Sequence, residues 1–223
     1  MSKIDVLNGG FVRLVDHMGS DLSIVRSARV SYDADWREGE DEGKDAKLIG
    51  YLMKNKHTSP FECVSFTFEV KAPIFVFRQW HRHRTWAYNE ISARYTELDE
   101  GFYVPELDQI TTQSASNKQM RTTEQHPMAA ILANSMRVCN DASFAVYRKM
   151  IAEGCPRELA RSVLPVAAYS RMFASVNLHN LFHFLRLRLH EHSQYEIRVY
   201  AEAMLKLIEP IVPVATAAFR STL

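Results

Sequence analysis

Residues 78–95 concentrate the side chains able to do chemistry: Arg78, Arg82, Arg84 and Arg94, two histidines (His81, His83), four aromatics (Trp80, Trp86, Tyr88, Tyr95) and one acid, Glu90. Arginines at this density repel one another unless anions or carboxylates neutralise them. A guanidinium fork pairs bidentately with phosphate, and aromatic faces accept planar rings. A ligand carrying both a phosphate and a ring fits that chemistry, as a nucleotide or a flavin does. On residue chemistry alone, a solvated basic loop or an RNA contact explains the segment equally well. The formal net charge is only +1, so nothing global favours a polyanion such as duplex DNA and the positive field is local.

The elements that must hold this segment read as mixed α and β. Residues 64–70 alternate apolar and polar side chains, the mark of a half-buried strand, and residues 11–15 are a weaker strand candidate. Between them, Leu48, Ile49, Leu52 and Met53 recur at helical spacing and predict an amphipathic helix over 46–55. Residues 33–44, acidic and glycine-containing, read as a solvated loop. Pro73 opens an apolar run into the basic segment. Residues 100–126, rich in Thr, Gln, Ser and Asn, read as a surface loop or a substrate lid. Pro127, as a first helical residue, starts a long helix ending near Gly154, and Pro156 begins a short one that Pro165 stops. A second strand is expected at 171–176. A helix carrying Leu178, Leu181, Phe182, Leu185 and Leu189 follows it, and a last helix runs over about 194–209. No regular βαβ alternation appears, which favours antiparallel strands.

A chain of 223 residues suits a single domain over 1–223, with 100–126 as a variable loop or lid. The start lacks a secretory pattern, and no apolar run approaches the ~18–20 residues that cross a bilayer. Cys63, Cys139 and Cys155 show no metal or disulfide spacing; Cys63 falls in a strand pattern and Cys139 in a helical one. A reduced, cytoplasmic compartment is expected.

Arg82-His83-Arg84, seven residues, then Ser92 resembles the signature of the flavin-dependent thymidylate synthases. The longer pattern of that family is met at Asn89, Glu90, Ser92, Arg94 and Tyr95, with Ala87 standing where many members carry serine. Arg29-Val30-Ser31, residues 57–62, residues 157–161 with Leu164-Pro165, and Asn177 through Arg188 to His192 resemble further blocks, so the likeness covers nearly the whole chain. The resemblance implies an α/β fold of the α+β type, with a central, mostly antiparallel sheet flanked by helices. It also implies a homotetramer with shared active sites, and synthesis of dTMP from dUMP. The carbon donor would be 5,10-methylenetetrahydrofolate and the reductant FAD with NADPH, flavin N5 handling both methylene and hydride.

The resemblance also implies residue roles. Ser59, Arg82, His83, Arg84, Glu90, Asn177, His179 and His183 match FAD positions; His179 and His183 depart from the arginine and asparagine that members can carry there. Gln79, Arg82, Glu90, Ser92, Arg94, Arg161 and Arg188 match dUMP positions. Arg188 is the catalytic candidate, a cation favouring ionisation at uracil N3. His57, Ser31 and His192 are weaker site candidates.

Plainer readings stand beside these. Arg188 pairs on the surface with Glu191 or Glu196, and Arg161 with Glu158. Trp80 and Trp86 are packing residues. His179 and His183 fall at a spacing that metal sites use, but no third ligand follows, so no metal is expected. Ser92 lacks an adjacent base and reads as a binding group rather than a nucleophile. The competing function is a nucleic-acid-binding module, which predicts a colourless protein with salt-sensitive binding. The enzyme reading expects no nucleic-acid or membrane partner.

Overall fold

The computed structural model describes residues 2–33, 42–99 and 101–223, so most of the loop read at 33–44 lies outside the described residues. Strands β1 (Lys3–Val6), β2 (Gly10–Met18), β3 (Ser65–Pro73), β4 (Ala87–Glu90) and β7 (Tyr169–Asn177) form a sheet in the order β1-β2-β3-β7-β4. Every neighbouring pair in it is antiparallel. A separate hairpin joins β5 (Thr111–Gln113) to β6 (Arg121–Gln125), within the stretch read as a loop.

Alternation along β3 sorts the two faces. Phe66, Phe68, Val70 and Ala72 are buried in the main core, while Thr67 and Lys71 are half-exposed on the other face. Glu69 also lies on that polar face, yet its carboxylate is buried between Arg13 of β2 and Arg171 of β7, the latter at 3.4 Å. Thr67 and Ser175 share a hydrogen bond of 2.9 Å across β3 and β7.

The helices are α1 (Asp21–Arg29), α2 (Glu42–Lys54), α3 (Ile74–Trp80), α4 (Ala129–Ala152), α5 (Arg157–Ala160), α6 (Leu178–Arg188), α7 (Tyr195–Ile208) and α8 (Pro213–Arg220). Two begin where central strands end. Pro73, with no N–H for the ladder, closes β3 at the start of α3, whose first free N–H groups at Ile74 and Phe75 donate to Ala168 and Val166 carbonyls at 3.0 Å. Asn177 closes β7 and caps α6, its side-chain oxygen accepting from the Asn180 N–H at 2.9 Å. Helix α7 lays Ile197, Tyr200, Ala201, Met204 and Ile208 into the same core.

Several expectations need correction. The helix expected from Pro127 begins at Ala129, and the helix over 194–209 is not the last, since α8 follows it. Cys63 ends a one-turn 3-10 helix (Ser59–Cys63) before β3 rather than lying in the strand. The hairpin in 100–126 is anchored: buried Glu196 of α7 accepts from the Tyr103 hydroxyl and from Arg121 Nη2, both at 3.1 Å. Burial, then the Glu196 charge, pushes the Tyr103 phenol far above its ordinary range.

A Cβ at Gly10 would stand 2.0 Å from the Tyr200 hydroxyl and 2.6 Å from the Lys71 carbonyl that this hydroxyl bonds. Gly10→Ala should therefore cost about 1–3 kcal/mol in denaturant unfolding. Gly50, in α2 with open space around it, should instead gain about 0.5–1 kcal/mol as alanine. Arg121→Met should speed amide exchange across 111–125 while leaving β3 and β7 protected, because only the hairpin loses its anchor.

Candidate functional site

Inward residues recur every third position along the basic segment. Trp80 is fully buried, and His83 and Trp86 are 7% and 6% exposed. Trp80 stacks on Phe184 of α6 at 4.8 Å and meets Trp86 edge-on at 5.9 Å. Both tryptophans are therefore packing residues, and the Tyr88 hydroxyl is spent on the Trp80 and His83 carbonyls. Of the four aromatics only Tyr95 is freely exposed. With that anchor set, Arg82 and Arg84 are exposed, and among the described residues neither side chain makes a hydrogen bond or ion pair.

Helix α6 brings Arg188 back to this segment. Arg188 Nε donates to His83 Nε2 at 3.0 Å, and Nη2 donates to the Gln79 carbonyl at 3.4 Å. The guanidinium is half-buried, and burial lowers its pKa without threatening its charge. Among the described residues no carboxylate pairs with it. Glu191 contacts His192 and Glu196 holds the hairpin, so the surface pairing weighed for Arg188 does not form. His83 is pushed down to about 4, first by burial and then by the charges of Arg188 and His183, so at neutral pH it is an uncharged acceptor.

Gln79, Arg188, His192 and Gln194 line a groove of about 470 Å³ that Gln119, from the hairpin turn, also borders. The Gln79 amide donates to Gln194. The groove shares Gln119, His192, Ser193 and Gln194 with a larger cleft of about 880 Å³ running along the hairpin. Gln194 and Gln119 were missed in the sequence. Gln194 reads only as a helix start, and Gln119 sits in a polar stretch without periodicity.

The start of α6 carries Asn177 and His179, and His183 stands at its middle. The Asn177 oxygen is committed to its cap, which leaves the amide N–H groups for a ligand. His183 is exposed and lies edge-on to His83, with ring centroids 6.1 Å apart. Ser59 is exposed on the one-turn helix that packs against α6, where Phe61 meets Phe182 edge-on at 6.3 Å. Among the described residues no three His, Cys, Asp or Glu side chains converge as metal ligands.

A second group surrounds Glu158. Arg94 Nη2 lies 3.9 Å from its carboxylate, and Arg161 Nε donates to its backbone carbonyl at 3.4 Å rather than pairing with its side chain. The Ser92 hydroxyl accepts from the Arg94 N–H at 3.3 Å, and Glu90 accepts from Ser170, another unforeseen residue, at 2.6 Å. Among the described residues no hydrogen bond or ion pair joins this group to Arg188. His57 is exposed, edge-on to Tyr51 at 5.7 Å, and Ser31 is exposed in the 3-10 turn Val30–Tyr32.

The donor set suits a phosphate-bearing, ring-containing ligand such as FAD. It combines arginines whose side chains have no partner among the described residues, an amide with N–H groups left for a ligand, and exposed His183 beside the neutral His83. No helix among the described residues is long and apolar enough to cross a membrane.

The family described as thymidylate synthase complementing protein matches residues 13–214. A flavin-dependent thymidylate synthase of Treponema denticola is 49% identical over 96% of this chain and 80% of its own length. That of Thermus thermophilus is 47% identical over 99% of this chain and 79% of its own. The crystal structure of a UMP/dUMP methylase, PolB from Streptomyces cacaoi, bound with 5-Br dUMP, superposes with a TM-score of 0.89 at 37% identity, covering 98% of this chain and 97% of that one. A basic segment folded on α6, with its match running almost end to end, places the chain in the thymidylate synthase complementing protein family, among the flavin-dependent thymidylate synthases.

Proposed function

We propose that this protein synthesises dTMP from dUMP, with 5,10-methylenetetrahydrofolate as carbon donor and FAD with NADPH as the reducing system. The observation that carries this reading is Arg188: a half-buried cation with no carboxylate partner among the described residues, held by two neutral acceptors at the wall of a groove. Such a charge is costly unless an anion completes it. A uracil ring ionising at N3 is that anion, and a fixed guanidinium beside N3 lowers the nitrogen's pKa as chemistry begins.

Within this reading Gln79, Arg82, Glu90, Ser92, Arg94, Arg161 and Arg188 bind dUMP, the fork of Arg94 and the hydroxyl of Ser92 suiting its phosphate. Ser59, Arg82, His83, Arg84, Glu90, Asn177, His179 and His183 hold FAD, with His57, Ser31 and His192 at the periphery. FAD, when held by these residues, would supply the redox chemistry of the transfer. The protein binds, orients and polarises, which is why no protein nucleophile is required.

A homotetramer with shared active sites agrees with two features. Among the described residues no hydrogen bond or ion pair joins the Ser92–Arg94–Arg161 group to Arg188, as expected if each completes a site on a different subunit. Helix α4 leaves Ile131, Val138 and Val146 between 48% and 59% exposed, an apolar face suited to subunit contact. One catalytic unit over 1–223 and a cytoplasmic location complete the proposal.

The test is the visible spectrum with FAD added, followed by reduction and titration with dUMP, with UMP run in parallel. A flavin band perturbed by dUMP, with dTMP formed in turnover, supports the reading; no flavin retention together with salt-sensitive RNA binding would replace it with the nucleic-acid module. Arg188→Ala should keep FAD and lose roughly 10²–10³-fold in turnover at saturating dUMP. Mixing inactive Arg188→Ala with inactive Arg94→Ala chains should restore activity if subunits share sites; mixtures that stay inactive argue that each chain builds its own.

A further inference from the structure

The hydrogen bond between Arg188 and His83 joins two residues that the family pattern assigns to different ligands, 105 positions apart in the chain. A guanidinium on a long stem has many orientations, and a catalytic cation must be aimed before its substrate arrives. Here it is held at two points. The Gln79 carbonyl takes one Nη2 donor, and His83 Nε2 takes the Nε donor. A planar group fixed by two non-equivalent donors has its plane and its direction set, and its remaining N–H groups are free for a ligand.

We infer that His83 is a positioning residue for Arg188, its unprotonated Nε2 aiming the guanidinium along the wall of the groove. This rests on the proposed dUMP chemistry and adds to it a second duty for a residue of the flavin motif. The His83 ring is itself immobilised. Its edge packs on Phe184 with centroids 4.9 Å apart, its backbone N–H donates to the Trp80 carbonyl at 2.9 Å, and its own carbonyl accepts from Tyr88 at 2.9 Å. The groups facing it are Arg188 and His183 from α6 and the Tyr88 hydroxyl from β4, with Arg82 and Arg84 beside it in the chain. None is acidic, so nothing favours the imidazolium, in agreement with the downward shift to about 4. Protonation would replace the acceptor by a donor and set two cations against each other. With Nε2 engaged, only Nδ1–H remains to meet a flavin.

The experiment begins with ¹⁵N spectra of histidine-labelled wild-type protein and its Arg188→Ala variant. The expected result is a neutral Nδ1–H tautomer with Nε2 as acceptor, and a His83 pKa that rises by about one unit when the cation is removed. A proton on Nε2 at neutral pH, or an unmoved pKa in the variant, overturns the inference. That arm needs no turnover, so it stands apart from the functional proposal, which fails by itself if wild type forms no dTMP. Turnover is then compared in FAD-saturated holoenzyme. His83→Leu should lose roughly 10–100-fold in kcat, and His83→Gln, which keeps an acceptor, should regain most of it. In the Arg188→Ala background His83→Leu should add no further loss. Full rescue of His83→Leu by excess FAD, or a multiplicative loss in the double variant, would reduce His83 to a flavin contact alone.

Discussion

Trp80 lies fully buried on Phe184 at 4.8 Å, with Trp86 and His83 closing around the same phenyl ring. The geometry of the basic segment depends on this packing. Rotating the segment to bury Arg82 or Arg84 instead would place an uncompensated guanidinium in an apolar core, at a cost of several kcal/mol. The aromatic contacts add roughly 0.5–1.5 kcal/mol each beyond the area they bury. Arginines that repel one another are thus held close together and outward, so that an incoming anion relieves the repulsion.

The sheet supplies the second constraint. Strands β3 and β7 pair over nine residues, and each ends by feeding a helix, α3 after Pro73 and α6 after Asn177. Being antiparallel, they start those helices at opposite ends of the sheet. The 11 residues of α6 rise roughly 16 Å, enough to return Arg188 to the carboxyl end of α3. Its meeting with Gln79 and His83 follows from strand direction and helix length together. The cap at Asn177 fixes where that helix begins, so a residue matched to cofactor binding also sets the register of the catalytic arginine.

Buried alternation, amphipathic spacing and the proline and glycine ends of α4 and α5 were readable as structure in the sequence. Residues 64–70 and 178–189 announced themselves because one face of each meets the core and the other does not. Helix α3 was hidden because Ile74, Phe75, Val76 and Phe77 are apolar in succession and carry no period. Strand β4 was hidden because an exposed sheet edge imposes no alternation on Ala87–Glu90. The hairpin in 100–126 was hidden because what holds this segment is distant in sequence: buried Glu196 of α7, and the packing of Val104 and Ile110 on Ala129 and Ala133 of α4.

The sequence by itself determined the chemistry available and the family: an arginine-rich segment with one acid, and the spacing from Arg82 to Ser92. Residue types and local spacing need no tertiary contact to be read. The tertiary structure decided which arginine side chains have no partner among the described residues, that the tryptophans serve the core, and that no hydrogen bond or ion pair among those residues joins the Glu158 group to Arg188. It also decided that His83 meets Arg188 as a neutral acceptor. Those facts depend on burial and on contacts between residues 105 positions apart, which packing creates and no local pattern records.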